Sequence, residues 1–215
     1  MVCDQMNLIN DDERDILQEV MNIAFGKASA DLAELIDIYV MLSIPDITLL
    51  RTVEVPNYIE EQIKDFDRVS VIKQNYQGKF HGSAVLLFPG GAGKQLFSLF
   101  ENGDKPADEP ADLSVVLEKE TLLEVGNILI GASISKLAEL LDDEITYRPP
   151  QIIVDSSPND IVDWDLAAPE CPAILMRTVF SFEQRDISGF LFLIPSHDSY
   201  EWLKKALNAF LEQYV

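Results

Sequence analysis

The chain has 215 residues, 47% hydrophobic and 25% charged, an ordinary globular composition with enough apolar material to fold without disulfides or metals. Its 37 acidic against 16 basic residues leave a formal net charge of −21. That balance argues against nucleic acid and anionic membrane surfaces, whose binding rests on Lys and Arg. The two cysteines, Cys3 and Cys171, read as free thiols in a reducing compartment. No apolar run approaches the roughly 20 residues of a membrane span, and residues 1–10 lack the basic start and apolar core of a signal peptide. A soluble, cytoplasmic protein is expected.

Asn10 and Glu13 have the spacing of a capping box, with Asp11 and Asp12 at the positive end of the helix that follows. Ile16, Leu17, Val20, Ile23, Ala24, Ala28, Leu32 and Leu35 continue with helical period and predict a long helix over about 11–36. Pro45 ends a connector, and the β-branched run 47–55 predicts a strand that Pro56 breaks. Residues 58–66 suit a short helix. Residues 69–76 and 80–88, around Gly78, predict a hairpin closed by Pro89-Gly90-Gly91, and 93–100 a helix. The run 89–95 lacks phosphate-loop spacing and reads as a strand-to-helix turn.

Residues 103–112, with two prolines and four acids, form the best linker in the chain. The order of elements then repeats. A long helix is predicted over 113–141, with Leu122, Val125, Leu129 and Ala132 apolar on one side and Pro149-Pro150 as its stop. A strand follows at 152–155, then an irregular polar stretch to 172. A second hairpin is predicted from 173–182 and 187–194, and a C-terminal helix over 199–214.

The repetition extends to individual residues. Asp15, Glu19, Asn22, Gly26 and Pro45 recur as Glu120, Glu124, Asn127, Gly131 and Pro150, each 105 positions later. Spacings of four, three and four put the first four of each set on one stripe of a helix. Two halves of about 100 residues, each helix-strand-strand-strand-helix, are therefore expected to join their sheets under their helices. The chain reads as a single α/β domain over 1–215 with an internal pseudo-twofold. Its repeats are about 10–102 and 113–215.

A carboxylate and a carboxamide on one exposed helical face can engage another molecule. The amide can hold a water in line for attack on phosphorus, and the carboxylate can pair with a lysine beside the phosphoryl group. A lone Glu-x-x-Asn is ordinary solvated surface, but exposed positions drift first, so a pair kept twice at fixed spacing favours use. Gly26 and Gly131 admit two readings, approach by a partner or close packing of the two helices. Asp15 and Glu120 are either recognition groups or acids favoured by the helix dipole. Pro45 and Pro150 suit the entry to a strand.

Asp or Ser, then Glu, Asn and Pro at these spacings resemble the signature of the CheC/CheX/FliY family of chemotaxis phosphatases. Residues 15–45 match it at every position, and 120–150 at all but the first, where Glu120 stands. Two motif copies in a chain of this length look most like the CheC branch. The resemblance implies a CheC-like layered α/β fold with two motif-bearing helices. It implies phosphatase activity toward the aspartyl phosphate of the response regulator CheY. On the same ground Asn22 and Asn127 would orient the attacking water, and Glu19 and Glu124 would salt-bridge a lysine of the regulator. Asp15, Gly26, Glu120 and Gly131 would lie in the contact. Mg²⁺ would sit on the regulator, with no cofactor or metal on this chain. The deamidase CheD is a further partner that the resemblance suggests. The alternative is a non-catalytic docking module of the same fold, of the flagellar-switch type.

Overall fold

The computed structural model describes residues 9–36, 39–100, 111–154, 171–182 and 187–214. Residues 103–110 of the linker expected over 103–112 and most of the irregular stretch before 172 lie outside them, while Ala111 and Asp112 already belong to a helix. In chain order the elements are α1 (Asp11–Ile36), β1 (Val40–Leu42), β2 (Asp46–Arg51), α2 (Val55–Ile63), β3 (Val69–Gln77), β4 (Gly82–Pro89), α3 (Ala92–Phe100), α4 (Ala111–Leu140), β5 (Thr146–Tyr147), β6 (Gln151–Val154), β7 (Pro172–Phe182), β8 (Ile187–Pro195) and α5 (Tyr200–Tyr214).

The cap at the start of α1 forms as its residues predict. The Glu13 amide donates to Asn10 Oδ1 at 2.7 Å, and the Asn10 amide donates to Glu13 Oε2 at 2.8 Å. The strands expected over 47–55 and 152–155 appear as β2 and β6, and each is preceded by a short strand that was not expected, β1 and β5. Pro45 and Pro150 stand immediately before β2 and β6, since proline cannot donate to a ladder. The strand expected over 47–55 stops at Arg51. Residues 52–54 form a 3₁₀ turn, and Pro56 lies in the first turn of α2, where its missing N–H costs nothing. At the 89–92 turn Gly91 has φ +81°, a conformation that requires glycine, and α3 starts at once.

All strand pairings are antiparallel, and the sheet runs β1-β7-β8-β4-β3-β5, with β2 also on β7 and β6 also on β3. The halves do not merely abut. The first strands of each half pair with the hairpin of the other, β1 and β2 with β7, β5 and β6 with β3. The helices follow the same exchange, α4 packing on α3 and α1 on α5.

The pseudo-twofold can be located by residue. In the central β4–β8 ladder Gly82 and Gly189 have matching surroundings, an added Cβ meeting the Ile194 carbonyl and Tyr76 at one and the Leu87 carbonyl and Phe180 at the other, and this makes the paired Val85 and Phe192 counterparts. In the helical layer Lys136 Nζ lies 3.0 Å from Asp31 Oδ2, and these too are counterparts, 105 apart. A position meets its own copy only on a twofold axis, so the axis passes through both layers at these pairs.

The main core lies between the helices and the sheet, and includes Leu17, Met21, Phe25, Ile72, Phe88, Leu129, Phe180 and Leu191. On the opposite sheet face Val55 and Ile59 of α2 pack on Val71, Val85, Leu87, Leu175 and Phe192. With both faces covered there, Gly82–Phe88 of β4 are buried throughout. The segment Val116–Leu140 is long and apolar enough by length and composition to cross a membrane, which the sequence reading had missed. Its apolar side is core here, packed on α1, α3 and β3.

Cys171 is disulfide-bonded, and no cysteine is free among the described residues. The expected free thiol is thereby corrected. The compartment argument drawn from free thiols lapses with it.

Candidate functional site

One side of α1 is fully occupied by the core through Leu17, Val20, Met21, Ala24, Phe25 and Ala28. The helical period then leaves Asp15, Glu19, Asn22 and Gly26 on the outer side, and all four are exposed. In α4, Leu122, Val125 and Leu129 are buried and Ala132 half-buried. Glu120 and Glu124 are exposed, and Asn127 and Gly131 half-buried. Each stripe is therefore brought together on one face, and neither Glu/Asn pair is sealed inside the body.

Among the described residues, Asp15, Glu19, Glu120 and Glu124 make no hydrogen bond or ion pair, and Asn22 makes no side-chain hydrogen bond. The carboxylates are thus available to a cation from outside. Asn22 lies nine residues before Asp31 on the axis, and Asn127 nine before Lys136. At 1.5 Å per residue each amide stands roughly 14 Å along its helix from the axis. The two pairs are separate sites and cannot share one ligand head group.

Gly26 and Gly131 are not explained by packing among the described residues. A Cβ added at either would meet no atom within 4 Å. This removes the close helix–helix contact that had been a competing reading. By contrast a Cβ at Gly126 would lie 2.8 Å from Ile72 Cδ1, so that glycine serves the approach of α4 to the sheet.

The prolines of the motif are structural. Pro45 is buried, and its carbonyl accepts a 2.9 Å bond from Gln18 Nε2, which ties the entry of β2 to α1 beside Glu19. The equivalent of Gln18 is Leu123, which cannot make this bond.

The second stripe has polar support of its own that sequence reasoning did not find. Gln74 of β3 donates from Nε2 to Asn127 Oδ1 at 2.8 Å. Tyr147 of β5 donates to the Gly131 carbonyl at 3.2 Å and is joined to Ser135 at 2.8 Å. Burial pushes the Tyr147 hydroxyl above its ordinary pKa, against the Ser135 hydrogen bond. Hydrogen bonds to Asp31, foremost, and Glu139 hold the Lys136 ammonium above its usual range. No pattern in the sequence marks Gln74, because its partner Asn127 lies far away in the chain, and Tyr147 bonds back to α4 only because the connector after that helix turns β5 alongside it.

The described residues contain no group of three or more His, Cys, Asp or Glu placed to hold a metal. What the geometry offers is a pair of outward-facing acid–amide stripes on a duplicated α/β scaffold.

The comparisons with known proteins agree with this scaffold. A model of the CheC-like family matches residues 117–154, which span nearly all of α4, its Glu124/Asn127 pair and Pro150. The chain is 26% identical over 210 residues to the CheY-P phosphatase CheC of Bacillus subtilis (strain 168), covering 95% of this chain and 98% of that one. Thermotoga maritima FliY superposes with a TM-score of 0.66 at 18% identity, over 94% of this chain and 98% of that one. The FliM middle domain of Vibrio alginolyticus does so with a TM-score of 0.58 at 11% identity, over 88% and 99%. The chain is thus similar to CheC over nearly its whole length, and its fold is that of FliY and the FliM middle domain.

Proposed function

We propose that this chain is a phosphatase of the aspartyl phosphate on a CheY-type response regulator, with Glu19/Asn22 and Glu124/Asn127 as its two catalytic pairs. The observation that carries the reading is the pairing itself. Each helix offers a carboxylate with no partner in the described chain and, three residues on, an amide on the same outward face. The full-length likeness to a CheY-P phosphatase supports the choice of substrate.

In this reading the regulator supplies the acyl phosphate and the Mg²⁺ that neutralises it. The protein adds what the regulator lacks. Glu19 or Glu124 salt-bridges a lysine beside the phosphoryl group and sets the docking angle. Asn22 or Asn127 enters the regulator's site and holds one water in line with the scissile P–O bond. Attack of that water forms the new P–O bond, and the acyl oxygen leaves as the free aspartate carboxylate with release of inorganic phosphate. Gly26 and Gly131, one turn on, leave room for the regulator's backbone, and Asp15 and Glu120 border the contact.

The test is phosphate loss from phosphorylated CheY with Mg²⁺ present. The wild-type chain should accelerate it, and Asn22→Ala with Asn127→Ala should abolish the acceleration while circular dichroism shows the fold intact. A double variant as fast as wild type would remove the proposed catalysts. Binding of the regulator with no acceleration by the wild type would favour the docking-module alternative.

A further inference from the structure

We infer that Gln74 is a positioning residue for the second site. It holds the Asn127 side chain in one orientation, with the nitrogen of its amide turned outward. The inference rests on the phosphatase reading for its activity test, and on geometry alone for its second test.

Gln74 lies in β3 beneath α4 and is 2% exposed. Its Nε2 makes two bonds, one to Asn127 Oδ1 at 2.8 Å and one to the Arg148 carbonyl at 3.0 Å. The second bond fixes the first. A backbone carbonyl can only accept, so the nitrogen end of Gln74 must face Arg148. The Arg148 amide in turn donates to the Asn75 carbonyl at 3.0 Å, so this acceptor is itself tied to β3. The Asn127 atom that faces the same nitrogen must then be its oxygen. Asn127 is left with Nδ2 directed away from Gln74, as a donor to an incoming molecule. The arrangement has a cost, since Gln74 Oε1 is buried without a partner. A buried amide left half-satisfied is a feature that packing alone would not select.

The first site lacks this device. Leu42 and Tyr147, 105 positions apart, pair with Phe180 and Tyr76, so Phe180 is the equivalent of Tyr76. Two positions back along each strand, the equivalent of Gln74 is Thr178. Thr178 is buried too, but its hydroxyl donates to the Ser43 carbonyl at 2.6 Å, as Gln74 does to the Arg148 carbonyl, and makes no bond to Asn22. Asn22 makes no side-chain hydrogen bond among the described residues. One amide enters the encounter already oriented, while the other must be immobilised during it.

Immobilising one side chain of this kind corresponds to roughly a three- to tenfold effect. Gln74→Met keeps the length and packing of the side chain and deletes both donors. With Asn22→Ala, so that only the second site works, Gln74→Met should lower kcat for phosphate loss about three- to tenfold with little change in KM. With Asn127→Ala, so that only the first site works, it should change nothing. Equal losses in both backgrounds would mean general structural damage, and no loss in either would mean no positioning; each overturns the inference. Absence of activity in wild type and in both single Asn variants would instead refute the phosphatase reading. The second test is then decisive. Side-chain amide relaxation by NMR on the full chain should show Asn127 more ordered than Asn22, and loosened to a similar level by Gln74→Met. Asn127 as mobile as Asn22 in the wild type would overturn the inference whatever the substrate.

Discussion

Replacing Gly26 and Gly131 by alanine should make the protein more stable and less active. Both glycines lie inside long helices, where glycine costs about 0.8–1 kcal/mol against alanine. Neither has positive φ, and the new methyl would touch nothing within 4 Å, so no steric term offsets the gain. The two gains add because the sites are far apart, giving about 2 kcal/mol. For a chain of this size that raises Tm by roughly 4–8 °C. Gly126 provides the control. There the methyl would meet Ile72 Cδ1 at 2.8 Å, and the helical gain is offset by the contact. Thermal unfolding reads the stability, and phosphate loss from phosphorylated CheY reads the function. If glycine is kept so that another backbone can approach, the stabilised double variant should act more slowly and its loss should appear in KM. An unchanged or lower Tm would refute the open geometry, and a higher Tm with unchanged phosphate loss would refute the role of the glycines in partner contact.

Two further outcomes test the scaffold. Gly189→Ala should destabilise the sheet by roughly 2–4 kcal/mol in urea unfolding, since its Cβ would lie 2.1 Å from the Leu87 carbonyl oxygen and 2.5 Å from the Phe180 ring; a variant within 0.5 kcal/mol of wild type, roughly the neutral range, would contradict this register. Burial pushes Tyr200 up to about 12 from its ordinary 10.0. A pKa raised by folding means the native state favours the protonated phenol, so its contribution is intact below pH 10 and is lost as the pH rises towards about 12. That loss is roughly 3 kcal/mol, to which buried Tyr76 adds in the same direction. A urea midpoint that stays level from pH 10 to 12 would refute it.

The long helices, both hairpins and both motif stripes were legible in the sequence because each rests on local periodicity. Leu17, Val20 and Ala24 announce the buried side of α1, and Asp15, Glu19 and Asn22 fall outside it by arithmetic. Pro56 was misread as a strand breaker because proline is also an ordinary first-turn helix residue, and only the fold decides between the two. The exchange of first strands was not legible, since β2 could as well have paired with β3 of its own half; pattern gives a strand its faces and not its neighbour. Gln74 was hidden for the same reason. Its partner lies 53 positions away, across a layer boundary.

The exchange also bears on why the two sites can differ. A homodimer of either half would place each axial residue against an identical copy of itself. For Val85 and Phe192 in the sheet that costs no charge repulsion, since both are apolar. At the helical contact, Asp31 against a second Asp31 would repel, as would Lys136 against a second Lys136. In one chain the two positions are free to become a 3.0 Å ion pair of opposite sign. The same freedom extends from the axis to the stripes. Thr178 can bond only the Ser43 side of its connector while its counterpart Gln74 also holds the amide of the other helix, and Leu42 can stand where Tyr147 reaches the Gly131 carbonyl. Because the halves are interleaved, neither can be removed to leave the other folded. The two sites must therefore be separated by point substitution at Asn22 or Asn127 within the intact chain. Cutting the chain at the repeat boundary should yield two fragments, neither of which folds alone.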